Sequence, residues 1–429
     1  MKHYYKTVIE YIKNASKSET YTERLIKASA GDSKARKYIE DKIRNKLKID
    51  YKNEYSKNNM TEEIEADVRE IFNISFGSKG IQQYLDRKDI NELMIRGKKV
   101  FIEIEGVIHP MDELDSVDEA EEIIKKIVSE NFQGEINKIN AEVETRNENG
   151  DRVKAMLPPV AEEPILSVRM FNAFDPTLDN MLKNKTMSSK MANFITFTVK
   201  NKTNNSVIGG MGSGKTALLE FMISLINAGE SIVVIQNPFE ITKLSKKFPH
   251  LVVSNLQVTK RYTAKDLIIS ALRLNATRII LTEARGDEMN EVIKAKMRGH
   301  KGSMSSSHSL SAEDMIDDNV DMILESGKTV ADINPIKRRV CRADDLVYKM
   351  EKLGEEVDEN GRRFRRRVLS SISEILIDDN FKITTNVIFE YNRELDEFIW
   401  VNPISDTLAK ELEKNGAPLE EIAEWQTVS

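Results

Sequence analysis

Apolar side chains recur at helical spacing through the first part of the chain. Val8 and Ile12 could share one helix face, and Ile64 and Val68 could share another. The stretch is rich in Lys, Glu and Asn and contains no proline. Residues 1–75 are therefore predicted to form a small helical region. Its charges fit a solvated face, with partner binding as the alternative.

Short alternating segments after residue 76 predict strands. Two of them flank Arg96-Gly97-Lys98-Lys99, which indicates a β-hairpin. A further turn at 147–150 and Pro158-Pro159 separate later segments. Residues 76–175 are thus predicted to form an α+β domain. The predicted strands are 90–95, 100–104, 152–157 and 165–170, and the predicted helix is 117–130.

Strand and helix patterns alternate in the second half of the chain, after a predicted linker and lead-in helix at 176–190. Such alternation predicts a parallel sheet with helices on both faces, in a domain of residues 191–429. The predicted strands are 206–208, 232–235 and 279–282, and the helices are 218–226 and 264–272. A later hairpin, 346–350 with 365–369, carries a basic cluster that is either an exposed face or a contact surface: Arg362, Arg363, Arg365, Arg366 and Arg367.

The composition is that of an ordinary folded protein, because 40% of the residues are hydrophobic and 31% are charged. With 429 residues, two or three domains are expected. The net charge of −6 gives no general attraction to nucleic acid. The single cysteine, Cys341, excludes an internal disulfide and suits a reducing compartment. We recognise no signal peptide or membrane span, so a cytoplasmic location is expected, with membrane association through a partner.

A glycine-rich segment matches the P-loop pattern, in which Lys-Thr follows the second of two spaced glycines. Glycines let the backbone wrap a phosphate chain with its N–H groups pointing inward, and the next helix places its positive end there. Lys215 would reach the β- and γ-phosphates of ATP, and the Thr216 hydroxyl would ligate Mg²⁺. The segment is Gly209, Gly210, Met211, Gly212, Ser213, Gly214, Lys215 and Thr216.

An apolar strand that ends in an acidic residue is the second element, at 278–288. In a P-loop ATPase such a carboxylate holds Mg²⁺ or polarises the attacking water. Glu283 would lie beside the P-loop, because open α/β sheets bind ligands at the carboxyl ends of their strands. The alternative is a strand-terminal salt bridge with Arg278 or Arg285. The P-loop favours the catalytic role.

Two of the five histidines, His300 and His308, fall in a segment of small polar residues. A zinc site is not expected, because no cysteine or further histidine completes it. A neutral imidazole that hydrogen-bonds a phosphate oxygen, and so senses the γ-phosphate, fits this segment better.

Taken in order, these motifs resemble the type II/type IV secretion ATPases, nearest to the Tad-pilus (CpaF-like) and VirB11-like branch. The Walker A motif of that family is similar to 209–216, its variant Walker B to 282–286 and its histidine box to 299–308. The resemblance extends over roughly residues 76–350. Further similar segments are 90–95, 150–159, 166–169 and 266–274.

The resemblance implies a RecA-like P-loop domain with a C-terminal appendage, preceded by an α+β (PAS-like) domain. It also implies a hexameric ring that binds ATP and Mg²⁺ between the two domains. Arg152 and Arg169 match arginines of the N-terminal domain that approach the phosphates; a surface ion pair is the alternative for Arg169. Movement of one domain against the other would drive pilus assembly, secretion or conjugative transfer, through an inner-membrane platform protein. Nucleic-acid binding is not expected.

The expected site divides into three groups. The catalytic residues are Glu283, Lys215, Arg285 and His308. The nucleotide-binding residues are the P-loop segment with Ala217, Gln236, Glu240, Arg152, Arg169 and His300. The Mg²⁺ ligand is Thr216.

One segment departs from the family pattern. The acidic box of the family, Ile-Glu-Asp with a further Glu, is here Ile235-Gln236-Asn237-Pro238-Phe239-Glu240, and only Glu240 keeps a carboxylate. Gln and Asn preserve hydrogen bonding but cannot carry charge or accept a proton. General-base assistance is worth about 10²- to 10⁴-fold, so hydrolysis should be weakened more than binding.

Three hypotheses remain. A motor ATPase would use Glu283 as general base, with Gln236 orienting water. A nucleotide-binding ring subunit would hydrolyse slowly because of Gln236 and Asn237. A DNA translocase is disfavoured by the acidic balance and by the lack of an aromatic and basic groove.

Overall fold

The computed structural model describes residues 2–14, 21, 24–25, 33–56, 59–76, 81–147, 150–170, 174–325, 332–359, 361, 363–378 and 382–428. Parts of the predicted turns at 147–150 and 358–361, and Arg362 of the basic cluster, lie outside these residues. The chain divides into two compact units, Met1–Ala173 and Phe174–Ser429. In the described ranges, no helix combines the length and the apolar character needed to cross a bilayer.

Helices form the start of the first unit, where the spacing of apolar residues predicts them. The helices are α1 (Tyr5–Asn14), α2 (Ser33–Asp50), α3 (Met60–Phe76) and the short α4 (Gln82–Leu85). The apolar faces of α1, α2 and α3 meet in one core that contains the predicted positions Val8, Ile12, Ile64 and Val68, whereas Tyr84 and Leu85 of α4 pack against the core of the sheet that follows. The buried carboxylate of Asp67 accepts hydrogen bonds from the hydroxyls of Tyr4, Tyr5 and Tyr55, which ties the core together.

An antiparallel sheet with one long helix forms the rest of this unit. Over the part of the unit that the structure describes, six strands lie in the order β3-β2-β1-β6-β5-β4. The helix α5 begins after the cap residue Ser116 and buries Ile123, Ile124 and Ile127 against the sheet. The predicted strands and helix are therefore present. Their bounds are β1 Glu92–Arg96, β2 Lys99–Ile104, β3 Val107–Pro110, α5 Val117–Phe132, β4 Glu142–Arg146, β5 Arg152–Met156 and β6 Ile165–Arg169.

The segment predicted to be a linker, 176–190, belongs instead to the body of the second unit. It forms α6 (Leu178–Lys183) and leads into α7 (Ser189–Lys200). Met181 and Met187 are almost fully buried in the core of that unit. Methionine fills irregular apolar space, and this burial explains why the segment packs against the unit rather than running free.

Strands and helices then alternate through the second unit. The strands are β7 Asn205–Ile208, β8 Ser231–Gln236, β9 Val252–Gln257, β10 Arg278–Leu281, β11 Met304–Ser307, β12 Leu346–Lys352, β13 Glu356–Val357, β14 Arg363–Phe364, β15 Arg367–Ile377, β16 Ile383–Asn392 and β17 Glu397–Trp400. The helices are α8 Lys215–Ser224, α9 Leu244–Lys247, α10 Ala264–Ala271, α11 Met289–Met297, α12 Ala312–Leu324, α13 Asn334–Cys341, α14 Asp406–Lys414 and α15 Leu419–Trp425.

One sheet organises this unit: among the described residues, nine strands lie in the order β17-β16-β15-β12-β7-β11-β10-β8-β9. The sheet is parallel from β12 to β9, which confirms the prediction from alternation, and antiparallel from β12 to β17. Apolar cores lie around Phe194 and Phe221 and around Ile279 and Val292. The sequence indicated the β12–β15 hairpin. A hairpin pattern does not predict which strand of the larger sheet the hairpin pairs with, which here is β7.

Candidate functional site

The predicted P-loop joins β7 to α8, as its chemistry requires. Gly209 has a φ of 143°, and a Cβ there would lie only 2.1 Å from the carbonyl oxygen of Met350. Gly214 has a φ of 99° and caps α8. Met211 is 85% exposed, whereas the hydroxyl of Ser213 is buried and has no hydrogen-bond partner among the described residues. A phosphate oxygen would supply that partner, so the loop fits a phosphate chain.

The Lys215 ammonium group lies against the loop. Its Nζ donates to the carbonyl oxygens of Gly209 at 2.7 Å and Gly210 at 3.0 Å, and to Nδ1 of His308 at 3.3 Å. A lysine can only donate, so Nδ1 of His308 is the acceptor and carries no proton. Burial lowers the pKa of Lys215, although the charges of Glu283 and Glu240 oppose that effect. The loop therefore holds a buried cation next to where phosphates would bind.

Thr216 and Glu240 meet beside this lysine. The Thr216 hydroxyl, in the first turn of α8, donates to Oε2 of Glu240 at 2.6 Å. Hydroxyl and carboxylate oxygens are the hard ligands that Mg²⁺ prefers, so this pair fits a Mg²⁺ ion beside the phosphates. The next residue, Ala217, packs against the core of the unit.

Gln236, at the end of β8, is fully buried and holds the loop that carries Glu240. Its Oε1 accepts from the backbone N–H groups of Glu240 at 2.9 Å and Ile241 at 2.8 Å. These two donors fix Oε1 as the acceptor, so Nε2 donates to the Ile241 carbonyl at 2.8 Å and to Oδ1 of Asn255 at 2.7 Å. The amide is thus committed to the protein, which differs from the prediction that Gln236 orients water.

Glu283 and His308 lie at the same sheet edge, because they follow the neighbouring parallel strands β10 and β11. Nε2 of His308 lies 2.7 Å from Oε1 of Glu283. Since Nδ1 accepts from Lys215, Nε2 carries the proton and donates to the carboxylate. Arg285 donates to Oε2 of Glu283 at 2.6 Å. Burial raises the pKa of Glu283, but the hydrogen bonds from Arg285 and His308 outweigh it and hold that pKa below its usual value.

The salt bridge that competes with a catalytic role for Glu283 is therefore also present. Its partner is Arg285, which is 59% exposed, so the ion pair borders solvent. Arg278 is not the partner: it is fully buried and donates to Glu230 at 2.8 and 2.7 Å. An exposed arginine can move at small cost, and Glu283 stays part of the site.

His300 does not join this edge. It precedes the amino end of β11, whereas His308 directly follows the carboxyl end. Nδ1 of His300 lies 2.9 Å from the carbonyl oxygen of Ala276, which precedes β10. A strand of this length spans about 13 Å, so His300 lies at the opposite edge of the sheet from the P-loop. The structure therefore does not bring His300 to the P-loop beside His308, because the two histidines flank a strand, and its contact with a nucleotide stays a prediction.

Arg152 and Arg169 belong to the first unit, where they are cross-strand neighbours on β5 and β6. Arg152 forms an ion pair with Glu144, and Arg169 ends its strand with an exposed side chain. The structure thus brings these two arginines together within their own unit. Their approach to a nucleotide stays a prediction.

Arg367 has a partner that sets it apart from the rest of the basic cluster. Its Nε donates to the carbonyl oxygen of Gly212 in the P-loop at 2.8 Å. Other described arginines of the cluster contact carboxylates instead, such as Arg363 with Glu355 and Arg366 with Glu356. No sequence signal could single out Arg367, because pairing of β15 with β12 brings it to a loop 155 residues away.

We predict that Gln236→Glu destabilises the second unit. The substitution removes the donor to Ile241 and Asn255 and places a carboxylate against their oxygens, which should cost about 1–3 kcal/mol. Both tryptophans, Trp400 and Trp425, lie in this unit, so urea unfolding followed by tryptophan emission measures the change.

The matched control is Asn237→Asp at the adjacent exposed position, which should change the free energy of unfolding by less than about 0.5 kcal/mol. A Gln236→Glu protein as stable as the wild type would contradict the assignment of Gln236 to loop support.

Comparison with known proteins places this site in a family. Residues 127–388, well over half of the chain, match the family described as Type II/IV secretion system protein. The conjugal transfer protein TrbB of Rhizobium radiobacter is 27% identical over 219 residues, which are 50% of this chain and 63% of that protein. The type IV secretion system protein PtlH of Bordetella pertussis is 35% identical over 111 residues, 25% of this chain and 32% of that protein.

The chain spans about half the length of the curated relatives it matches. Among solved structures, the ATPase DotB of Yersinia pseudotuberculosis has a similar fold, with a TM-score of 0.50 at 14% identity over 68% of this chain and 78% of that one. The family match covers the P-loop, Glu283 and His308 together. The resemblance that the motifs indicated is thereby confirmed: the chain belongs to the type II/IV secretion system protein family.

Proposed function

We propose that the chain is the ATP-hydrolysing subunit of a hexameric motor that serves a type IV secretion, conjugation or Tad-pilus assembly machine. The observation that carries this proposal is one cluster of contacts at the carboxyl edge of the sheet. It brings together Lys215, Thr216, Glu240, Glu283 and His308.

Binding depends on the loop and its lysine. The P-loop backbone offers inward N–H groups, and the buried Lys215 ammonium supplies a charge that phosphate oxygens compensate better than neutral carbonyls do. Thr216 and Glu240 would hold Mg²⁺, which when bound neutralises charge on the β- and γ-phosphates. Gln236 supports this step indirectly, because it fixes the backbone of Glu240.

Hydrolysis depends on Glu283. Its carboxylate is ionised at neutral pH, and it can accept a proton from a water molecule that attacks the γ-phosphate. His308 donates to that carboxylate and accepts from Lys215, so it links the base to the phosphate-binding lysine. Arg285 holds the other carboxylate oxygen and must yield it when water binds. A phosphate that draws Lys215 away would free Nδ1 of His308, which makes His308 the sensor.

The motor itself is proposed from the family and the relatives. TrbB and PtlH are described as conjugal transfer and type IV secretion proteins, which supports service to such a machine. A ring of six subunits, at the cytoplasmic face of an inner-membrane platform protein, would bring the first unit with Arg152 and Arg169 toward ATP. Closure and release of the units would then transmit force.

A second candidate is a nucleotide-binding ring subunit with weak hydrolysis. Two observations favour it: Gln236 is committed to the protein backbone, and Glu283 is already engaged by Arg285. If the missing carboxylates limit turnover, Gln236→Glu with Asn237→Asp would raise the ATPase rate. The buried position of Gln236 predicts the reverse.

The steady-state ATPase rate separates the two candidates. We expect Glu283→Gln to lower kcat by about 10²- to 10⁴-fold while the affinity for Mg-ADP stays within a few-fold, because the change removes the base and keeps the shape. Lys215→Ala should abolish detectable nucleotide binding. A wild-type rate no higher than that of Glu283→Gln would favour the ring subunit, and unchanged affinity in Lys215→Ala would reject the site.

Nucleotide affinity should also fall at alkaline pH. The decline should begin at a lower pH than it would for a lysine with an ordinary pKa. Burial lowers the pKa of Lys215 in the free chain below 10.5, whereas bound phosphates favour the charged form. Affinity is therefore full below the free-chain pKa and declines as the pH rises through it, by up to about tenfold per pH unit. Binding of a fluorescent ADP analogue across alkaline pH, with circular dichroism as the folding control, measures this. A decline that begins only above 10.5 would contradict it.

The oligomeric state provides a separate check. With Mg-ATP, light scattering should give a particle mass near six times the 49.0 kDa of the chain. The Lys215→Ala variant should not respond to ATP if nucleotide stabilises the ring by mass action. A monomer under all conditions would reject the hexamer and leave the nucleotide site untouched.

A further inference from the structure

We propose that Arg367 is a positioning residue of the nucleotide site, which holds the P-loop in its phosphate-binding conformation from the side opposite the phosphates. This inference rests on the proposed function. The basic cluster lies on the β12–β15 hairpin, and its described members have different partners. Arg367 is the member whose guanidinium Nε donates to the Gly212 carbonyl oxygen, at 2.8 Å.

The place of Arg367 is set by the sheet. It is the first residue of β15, and it lies opposite Lys352 on β12. Strand β12 also pairs in parallel with β7, the strand that leads into the P-loop. The Met350 carbonyl oxygen of β12 lies so close to Gly209 that no side chain fits there. The β12–β15 hairpin and the P-loop are therefore packed directly against each other.

The arginine stem lies beside the loop as well. A Cβ added to Gly214 would lie 3.4 Å from Cδ and 3.8 Å from Cβ of Arg367, so the stem borders this glycine. Arg366, the preceding residue, is held by Glu356, Asp396 and the Tyr391 hydroxyl. The backbone that presents Arg367 is thus anchored, so its guanidinium has a defined position.

One peptide group explains why this contact matters for phosphate binding. The Gly212 carbonyl and the Ser213 N–H belong to the same planar trans peptide, so they point in opposite directions. A charged donor on the carbonyl therefore turns the Ser213 N–H toward the loop interior. In the structure this N–H points to the Gly210 carbonyl oxygen at 3.4 Å, a long hydrogen bond that a phosphate oxygen can replace.

Charge adds to the effect. A hydrogen bond from a guanidinium to a peptide carbonyl polarises the peptide, which strengthens its N–H as a donor to an anion. Glycine-rich loops gain much conformational freedom when unrestrained, and Gly212 has a φ of 70° that a glycine readily leaves. Arg367 thus reduces the entropy that the loop loses when it closes around phosphate.

The test is Arg367→Met in the full-length chain, which keeps an apolar stem beside Gly214 and removes the guanidinium. We expect Mg-ADP and Mg-ATP to bind about five- to tenfold more weakly, with kcat at saturating ATP within about twofold of wild type, because the loss lies in binding. Arg367→Lys, which can still donate to the Gly212 carbonyl, should recover part of the affinity. The matched control is Arg363→Met, on β14 in the same basic cluster and paired with Glu355.

The apo melting temperature distinguishes positioning from a purely structural role. The Arg367→Met protein should melt within a few degrees of the Arg363→Met protein. Of the two variants, only Arg367→Met should bind nucleotide more weakly than the wild type. Affinity equal to that of Arg363→Met would overturn the inference, as would a loss of kcat equal to the loss in kcat/KM. If the wild type bound no nucleotide, the proposed function itself would fail. If the wild type bound nucleotide and Arg367→Met bound it equally well, this inference would fail and the proposed function would stand.

Discussion

The carboxyl ends of neighbouring parallel strands must meet at one sheet edge, and the whole candidate site depends on that constraint. The P-loop follows β7, His308 follows β11, Glu283 follows β10 and Gln236 ends β8, and these four strands are neighbours in that order. Strands lie about 4.8 Å apart, so the ends of these four strands span about 14 Å. The order of the strands is therefore enough to bring these groups together.

Charges within the candidate site compensate one another. Arg285, Glu283, His308 and Lys215 form a continuous chain of hydrogen bonds, in which cation, carboxylate, neutral imidazole and cation follow in turn. Burying Lys215 alone would be costly, and the carbonyls of the P-loop and the imidazole offset that cost. A phosphate chain can replace those acceptors one for one. In the proposed function, this arrangement would couple nucleotide binding to the carboxylate that activates water.

The surrounding structure explains the departures from the family pattern. Gln236 is an amide at a position where a buried carboxylate would face the Ile241 carbonyl, so its neutrality suits the protein that surrounds it. Glu240 keeps the carboxylate that contacts Thr216. The antiparallel strands β15 to β17 lengthen the sheet on the side of β12, and they bring Arg367 behind the P-loop. Support for the loop therefore comes from a part of the chain that carries no nucleotide motif.

The sequence by itself determined what local patterns can encode. Glycine spacing predicted the P-loop at 209–216, alternation predicted the parallel sheet, and an acidic residue after an apolar strand made Glu283 the candidate base. Only the tertiary structure decided which partners these residues meet. It separated His300 from His308, because a strand lies between them, and it gave Gln236 its backbone partners. It also buried Met187 in the core and placed the Arg367 guanidinium within hydrogen-bond distance of the Gly212 carbonyl oxygen. Local periodicity reflects the physics of single helices and strands, whereas strand order and long-range packing arise only when distant segments come together.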